Sequence, residues 1–402
     1  MTGAAGTRDT QQSQDQPLED LGSGDGTGPT VNSYDEWSPL KEVVLGSGLN
    51  HDAHELDFSF RLFFHDEAHG AFYSPAYGAP GAVSVRREVK KRYVEELNED
   101  IEGMADALRQ GGVTVRRPMP LTAAGSVRTP AWEAGVMPAL NVRDQTLVLG
   151  GEIIETPPQV RARYFESHHL KPLFYEYFQR GARWTVMPRP VMTDRSFDTS
   201  YVSGSTTASM QYIADPHPSQ LDVGTEMMID AAQCVRFGQD VLVNVSTQNH
   251  QLGFDWLQRH TADRFRLHRV YRLADNHLDS IVLALRPGVL LVRDPSFVPR
   301  LPEPLRRWKI IFPPKPDLNS FPDYEADDLV LTSPFIDLNV LSLSPDTVMV
   351  NALCPELIRT LEKHGFTVVP VRHRHRRLFG GGFHCFTLDT VREGSGPENY
   401  FD

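Results

Sequence analysis

Cys385 lies in the stretch Gly380-Gly381-Gly382-Phe383-His384-Cys385-Phe386-Thr387-Leu388-Asp389, and the chain has only three cysteines. A run of three glycines lets backbone approach a ligand closely, which suits a nucleophilic thiol. The competing account is an inert packing residue, because free cysteine is among the most buried residue types. A nucleophile needs an acid or base beside it, and fifteen histidines compete for that place. His277 stands out in Asp275-Asn276-His277-Leu278-Asp279-Ser280, just before the strand-like run Ile281 to Leu285. His277 and Asp279 alternate by two, so on an extended chain they face the same side. Asp230 is flanked by Ile229, Ala231 and Ala232, which predicts burial. A buried carboxylate wants a partner, and orienting a histidine is one such use. Each residue also has a plainer account, as a solvated loop side chain or a helix cap. His384, adjacent to the cysteine, points away from it on an extended chain and makes a poor base. Neither Cys-x-x-Cys nor His-Glu-x-x-His occurs, so neither a metal nor a cofactor site is expected.

Positioning these groups falls to short strands and helices in alternation, which makes the class α/β. Five apolar runs are built alike: Glu42-Val43-Val44-Leu45-Gly46, Thr146 to Gly151, Asp240 to Asn244, Gly288 to Val292 and Thr347 to Asn351. Each reads as a buried strand closed by a turn or polar residue. Five such strands suggest five units around one centre with insertions between them, although any α/β sheet also yields similar runs. From Arg86 to Gln110, apolar residues at Val89, Tyr93, Leu97, Ile101, Met104 and Leu108 predict a helix stopped by Gly111-Gly112. A second helix is expected from Thr156-Pro157-Pro158 through Tyr164, and shorter ones over Gly253 to His260 and Pro355 to His364.

Composition narrows the class further. The chain has 402 residues, 40% hydrophobic and 23% charged, as expected of a globular enzyme. A net charge of −12 argues against nucleic-acid binding. Three scattered cysteines make no disulfide framework and point to a reducing cytoplasm. Residues 1–29 are polar and glycine-rich, which predicts a disordered tail ahead of one catalytic domain over 30–402. No apolar run reaches the roughly 20 residues a membrane span needs.

The sequence resembles the glycine amidinotransferase family, which also includes the inosamine-phosphate amidinotransferases. Val31-Asn32-Ser33-Tyr34-Asp35-Glu36-Trp37, Gly112-Val113-Thr114-Val115-Arg116-Arg117-Pro118 and Gly151-Glu152-Ile153-Ile154-Glu155 carry the resemblance. Arg180-Gly181-Ala182-Arg183-Trp184 and the Gly380 to Cys385 stretch extend it to nearly the whole chain after the tail. It implies a five-bladed α/β propeller around a central cavity, with no cofactor, and commonly a homodimer. It also implies transfer of the amidino group of L-arginine through an amidino-cysteine to an acceptor amine, glycine or another small primary amine, with release of L-ornithine. Under that resemblance Cys385 is the nucleophile, His277 the acid and base, and Asp230 its paired carboxylate. Asp144 and Asp279 hold the guanidinium, and Thr332 and Ser333 fall where the family binds the donor through hydroxyls.

The chain also departs from the family. Ala274-Asp275-Asn276 replaces the residues that precede the histidine in the animal enzymes. The arginine that meets the donor carboxylate aligns near Ser296, leaving Arg293 and Arg300 as substitutes. His51 to Ala79, with Phe58-Ser59-Phe60 and Phe63-Phe64-His65, matches little, and such loops usually set substrate choice. The basic run Arg372 to Arg377 is expected to be a solvated loop, with an anionic acceptor as the alternative. Two other functions stay open: a guanidine hydrolase, which releases citrulline, and a binding protein without catalysis.

Overall fold

A computed structural model of the protein describes residues 30–63, 85–199, 224–274 and 276–401. The expected tail over 1–29 and the Phe64 to Ala79 part of the unmatched segment lie outside the described residues.

Among the described residues, five three-stranded sheets share one topology. In each, a first strand pairs antiparallel with a middle strand, and a helical crossover leads to a third strand parallel to the middle one. The second sheet is Thr146–Leu149, Glu152–Glu155 and Arg183–Val186. The third is Cys234–Phe237, Asp240–Val245 and Arg266–Tyr271. The fourth is Val282–Arg286, Val289–Val292 and Lys309–Ile311, and the fifth Leu341–Ser344, Thr347–Asn351 and Thr367–Val371. In the first sheet the chain ends meet: Thr387–Arg392 pairs with Leu40–Leu45, which runs parallel to Thr114–Arg116. Four of the five runs picked from sequence are middle strands. Thr146–Leu149 is instead a first strand, and Glu152–Glu155 takes the middle place.

The first strands carry the contacts between sheets. Thr387–Arg392 touches Thr146–Leu149, which touches the turn Ala231–Gln233 just ahead of the third sheet. Cys234–Phe237 then meets Val282–Arg286, which meets Leu341–Ser344, and that strand touches Leu40–Leu45 of the first sheet. The sequence of contacts returns to its start. Most middle strands are almost wholly buried on both faces, which explains why they read as continuous apolar runs and not as alternating ones.

Two helices differ from expectation. The periodic stretch is a helix only over Lys91–Gln110, with Tyr93, Leu97, Ile101, Met104 and Leu108 buried. Val85–Glu88 is a strand paired with Ala53–Leu56, so backbone pairing takes those residues out of the helix. The second helix begins later than expected, at Lys171–Gln179. Thr156 is held instead by its N–H bond to the Gln145 carbonyl, and the prolines that follow offer no N–H to a helix. Only short 3₁₀ turns at Arg161–Arg163 and Glu166–Leu170 fill the interval.

The basic run is not a solvated loop. His373, His375 and Arg376 are buried, and Arg374 and Arg372 bond Asp100 of the Lys91–Gln110 helix at 3.1 and 3.0 Å. Arg376 pairs with Asp337 and stacks on Phe321 at 4.0 Å. Arg372, Arg374 and Arg376 therefore meet carboxylates of the protein itself, although Arg372 stays exposed. No helix among the described residues is long and apolar enough to cross a membrane.

Candidate active site

The expected residues arrive at the site by one repeated device. Asp144 stands two residues before the first strand of the second sheet, and Asp230 caps the Ala231–Gln233 turn that enters the third. His277 and Asp279 precede Val282–Arg286, and Cys385 precedes Thr387–Arg392. Ser333 opens the Pro334–Leu338 turn that leads to Leu341–Ser344. The loops entering all five first strands therefore supply the site.

Asp144, His277, Asp279, Thr332, Ser333 and Cys385 line one cavity of about 340 Å³. Asp230 is not on its wall. It lies behind His277, with Oδ2 2.9 Å from Nε2, while Asp144 Oδ1 lies 3.9 Å from Nδ1. Asp230 is thus both a cap and a histidine partner: its N–H also donates to Gln233 Oε1 at 2.9 Å. Burial disfavours a charged imidazole, but Asp144 and the Asp230 hydrogen bond outweigh it and lift His277 to about 9.

Cys385 is buried, and its thiol donates to Asp279 Oδ2 at 3.2 Å. Burial, then the charges of Asp279 and Asp144, push that thiol well above its ordinary value. Burial pushes Asp279 up as well, yet His384 and the His277 charge hold it down at about 2. The His384 imidazole is turned inward: Nδ1 lies 2.9 Å from Asp279 Oδ2. The alternation argument put this ring away from Cys385, and it does stay off the cavity wall, but it shares the carboxylate that meets the thiol.

Sequence reasoning missed Asn339, Arg163, Glu166 and Asn141. Asn339 accepts the Cys385 N–H through Oδ1 at 3.0 Å, and its carbonyl accepts the Phe383 N–H at 3.0 Å. The glycine triplet permits this closeness, since a Cβ on Gly382 would lie 2.7 Å from the Asn339 side chain. Arg163 donates to Asp144 Oδ2 at 2.8 Å and grips Glu166 at 2.5 and 3.0 Å. Burial and then the Arg163 charge act in opposite senses on Glu166, and burial wins, raising it to about 7. Asn141 lines the cavity, and Phe63 packs its ring 5.2 Å from the His277 imidazole. Asn339 and Asn141 share the one available sequence signal, a polar residue shortly before a first strand. Of the two arginines left open, Arg293 lines the cavity against Phe335 at 4.4 Å. Arg300 instead donates to the Tyr271 carbonyl at 3.1 Å.

Among the described residues, no cluster of three or more histidine, cysteine or acidic side chains is arranged to hold a metal ion. A buried cysteine beside a carboxylate shares this small cavity with a histidine whose charged form two carboxylates favour.

Solved structures place this fold. It matches the inosamine-phosphate amidinotransferase of Streptomyces griseus with a TM-score of 0.76 at 33% identity, covering 93% of this chain and 100% of that one. It matches an amidinotransferase of the saxitoxin pathway from Microseira wollei with a TM-score of 0.72 at 32% identity, over 92% and 99%. A dimethylarginine dimethylaminohydrolase shares the fold more distantly, with a TM-score of 0.51 at 13% identity over 87% and 99%. In sequence, the Streptomyces griseus enzyme is 35% identical over 365 residues, 90% of this chain and 97% of its own. The mitochondrial glycine amidinotransferase of Xenopus tropicalis is 32% identical over 380 residues, 92% and 85%. No protein-family model matches. The chain belongs to the amidinotransferase family that holds the glycine and inosamine-phosphate enzymes, and it is a transferase.

Proposed function

We propose that the protein moves the amidino group of L-arginine through an amidino-Cys385 intermediate to a small primary amine. Cys385 gives its thiol proton to solvent as arginine binds, and Sγ attacks the guanidinium carbon. The bond from that carbon to the ornithine nitrogen breaks, and His277 protonates the departing amine, which takes its last proton from solvent. The acceptor ammonium then gives one proton to His277 and attacks the amidino carbon. The carbon–sulfur bond breaks, and the second proton of the former ammonium passes to Sγ to restore the thiol. Thiolate, not thiol, is the attacking form, and the donor's positive charge between Asp144 and Asp279 favours it.

The observation that carries this reading is His277 on the wall of the same cavity as Cys385, with Asp230 behind it at 2.9 Å. A histidine held protonated near pH 7 is a ready acid for an amine leaving group. Asp144 Oδ1 is buried without a hydrogen-bond partner, which suits a guanidinium N–H. Thr332 and Ser333 on the wall suit donor binding, and Arg293 on the same wall suits its carboxylate. The five-bladed propeller is part of the same reading, supported by five sheets of one topology whose contacts return to the first. A homodimer and a cytoplasmic home complete it.

Incubation with labelled arginine and a panel of amines that includes glycine tests the proposal. Ornithine and an amidinated amine are expected. Citrulline and ammonia would make the protein a guanidine hydrolase.

A further inference from the structure

His384 is buried between two carboxylates. Nδ1 lies 2.9 Å from Asp279 Oδ2, and Nε2 lies 3.3 Å from Glu36 Oε2. Burial works against charge on both acids, but hydrogen bonds and nearby cations hold both ionised, Glu36 chiefly through Arg236. An ionised carboxylate only accepts hydrogen bonds, so acceptors on both ring nitrogens require a hydrogen on each. A doubly protonated ring satisfies both carboxylates at once.

This placement answers a conflict in the site. Carboxylates suit a cationic donor, yet Asp279 Oδ2 stands 3.2 Å from Cys385 Sγ and opposes a thiolate there. A cation fixed behind Asp279 reduces that opposition without entering the cavity. Other charges around it are already engaged: Arg236 and Arg143 share Glu36, and Arg143 Nε donates to the His384 carbonyl at 2.8 Å. Facing the thiol are Asp279 and Asp144, with His277 in the same cavity.

We propose that His384 is a positioning residue whose fixed positive charge, held between Glu36 and Asp279, aims Asp279 at Cys385 and offsets its charge as the thiolate forms. Only the kinetic arm of the test rests on the amidinotransferase reading.

The full chain is compared with His384→Asn and His384→Gln, which keep a hydrogen-bonding amide and remove the charge. Iodoacetamide labelling of Cys385, mapped by mass spectrometry across pH 7 to 11 without arginine, should slow about tenfold at each pH below the midpoint, as a midpoint raised by about one unit requires. In ornithine release, kcat should fall about tenfold while the arginine KM stays level or drops, because the cavity has become more negative. A merely loosened loop would raise KM and expose the thiol to faster labelling, and that result would overturn the proposal. So would unchanged labelling rates in a folded variant. Shifted labelling with no turnover even in the parent would refute the amidinotransferase reading and leave His384's role standing. If neither variant folds, nitrogen NMR of the parent's histidine rings decides. Two N–H signals for His384 at pH 7.5 support the bridge, and a single one contradicts it.

Discussion

Asp230→Asn removes one of two carboxylates around His277 with almost no change of shape. Burial opposes the imidazolium, and Asp144 with Asp230 raises it from 6.5 to about 9. At 1.36 kcal/mol per unit, that rise corresponds to roughly 3 kcal/mol. Asp230 is the nearer partner, at 2.9 Å against 3.9 Å for Asp144. Its loss should lower the midpoint by about one to two units. Single-turnover ornithine release across pH 6 to 10 reads the kinetic effect, and NMR of carbon-labelled histidine reads the imidazole itself. The parent should hold its rate to near pH 9 and the variant should decline from about pH 7 to 8. Stability follows the same shift. A folded value above the ordinary one contributes stability that is complete below about 6.5 and lost as pH rises through about 9. The parent should therefore weaken between those values, and Asp230→Asn should flatten that slope. If the rate limb and the imidazole midpoint both stay where the parent has them, the charged-acid argument is wrong.

Asp144→Asn should raise the arginine KM by about tenfold, since a charge-assisted bond to the guanidinium is worth roughly 1.5–3 kcal/mol. Binding of an analogue without a guanidinium, followed by calorimetry, should change little. Gly382→Ala places a methyl group 2.7 Å from Asn339 and should cost about 1–3 kcal/mol in thermal unfolding, with lower activity because Asn339 holds the Cys385 N–H. Asp100→Ala removes the buried carboxylate shared by Arg374 and Arg372, which keep Glu99, and should lower stability in urea by about 1.5 kcal/mol without moving the arginine KM.

Four of the middle strands were legible because burial on both faces leaves short runs such as Thr347–Asn351 wholly apolar at their centre, whereas buried first strands such as Thr387–Arg392 carry polar residues and were not picked out. Cys385 stood out through its glycines, and Asp230 through apolar neighbours that fold into a buried turn. What stayed hidden depends on partners distant in sequence. Arg86 fits the helical period that follows, yet pairing with Ala53–Leu56 draws it into a strand. The Arg372 to Arg377 run looks solvated until Asp100 and Asp337 are brought to it. His384 and Asn339 gain their roles from Asp279 and Cys385, whose approach no local pattern encodes.

Intact mass spectrometry of the protein with arginine alone tests the central claim most directly. One amidino group should appear on Cys385 with an equal amount of ornithine released, and Cys385→Ala should give neither product while folding as the parent does. An adduct that persists in Cys385→Ala, or ornithine released without any adduct in the parent, would contradict the account.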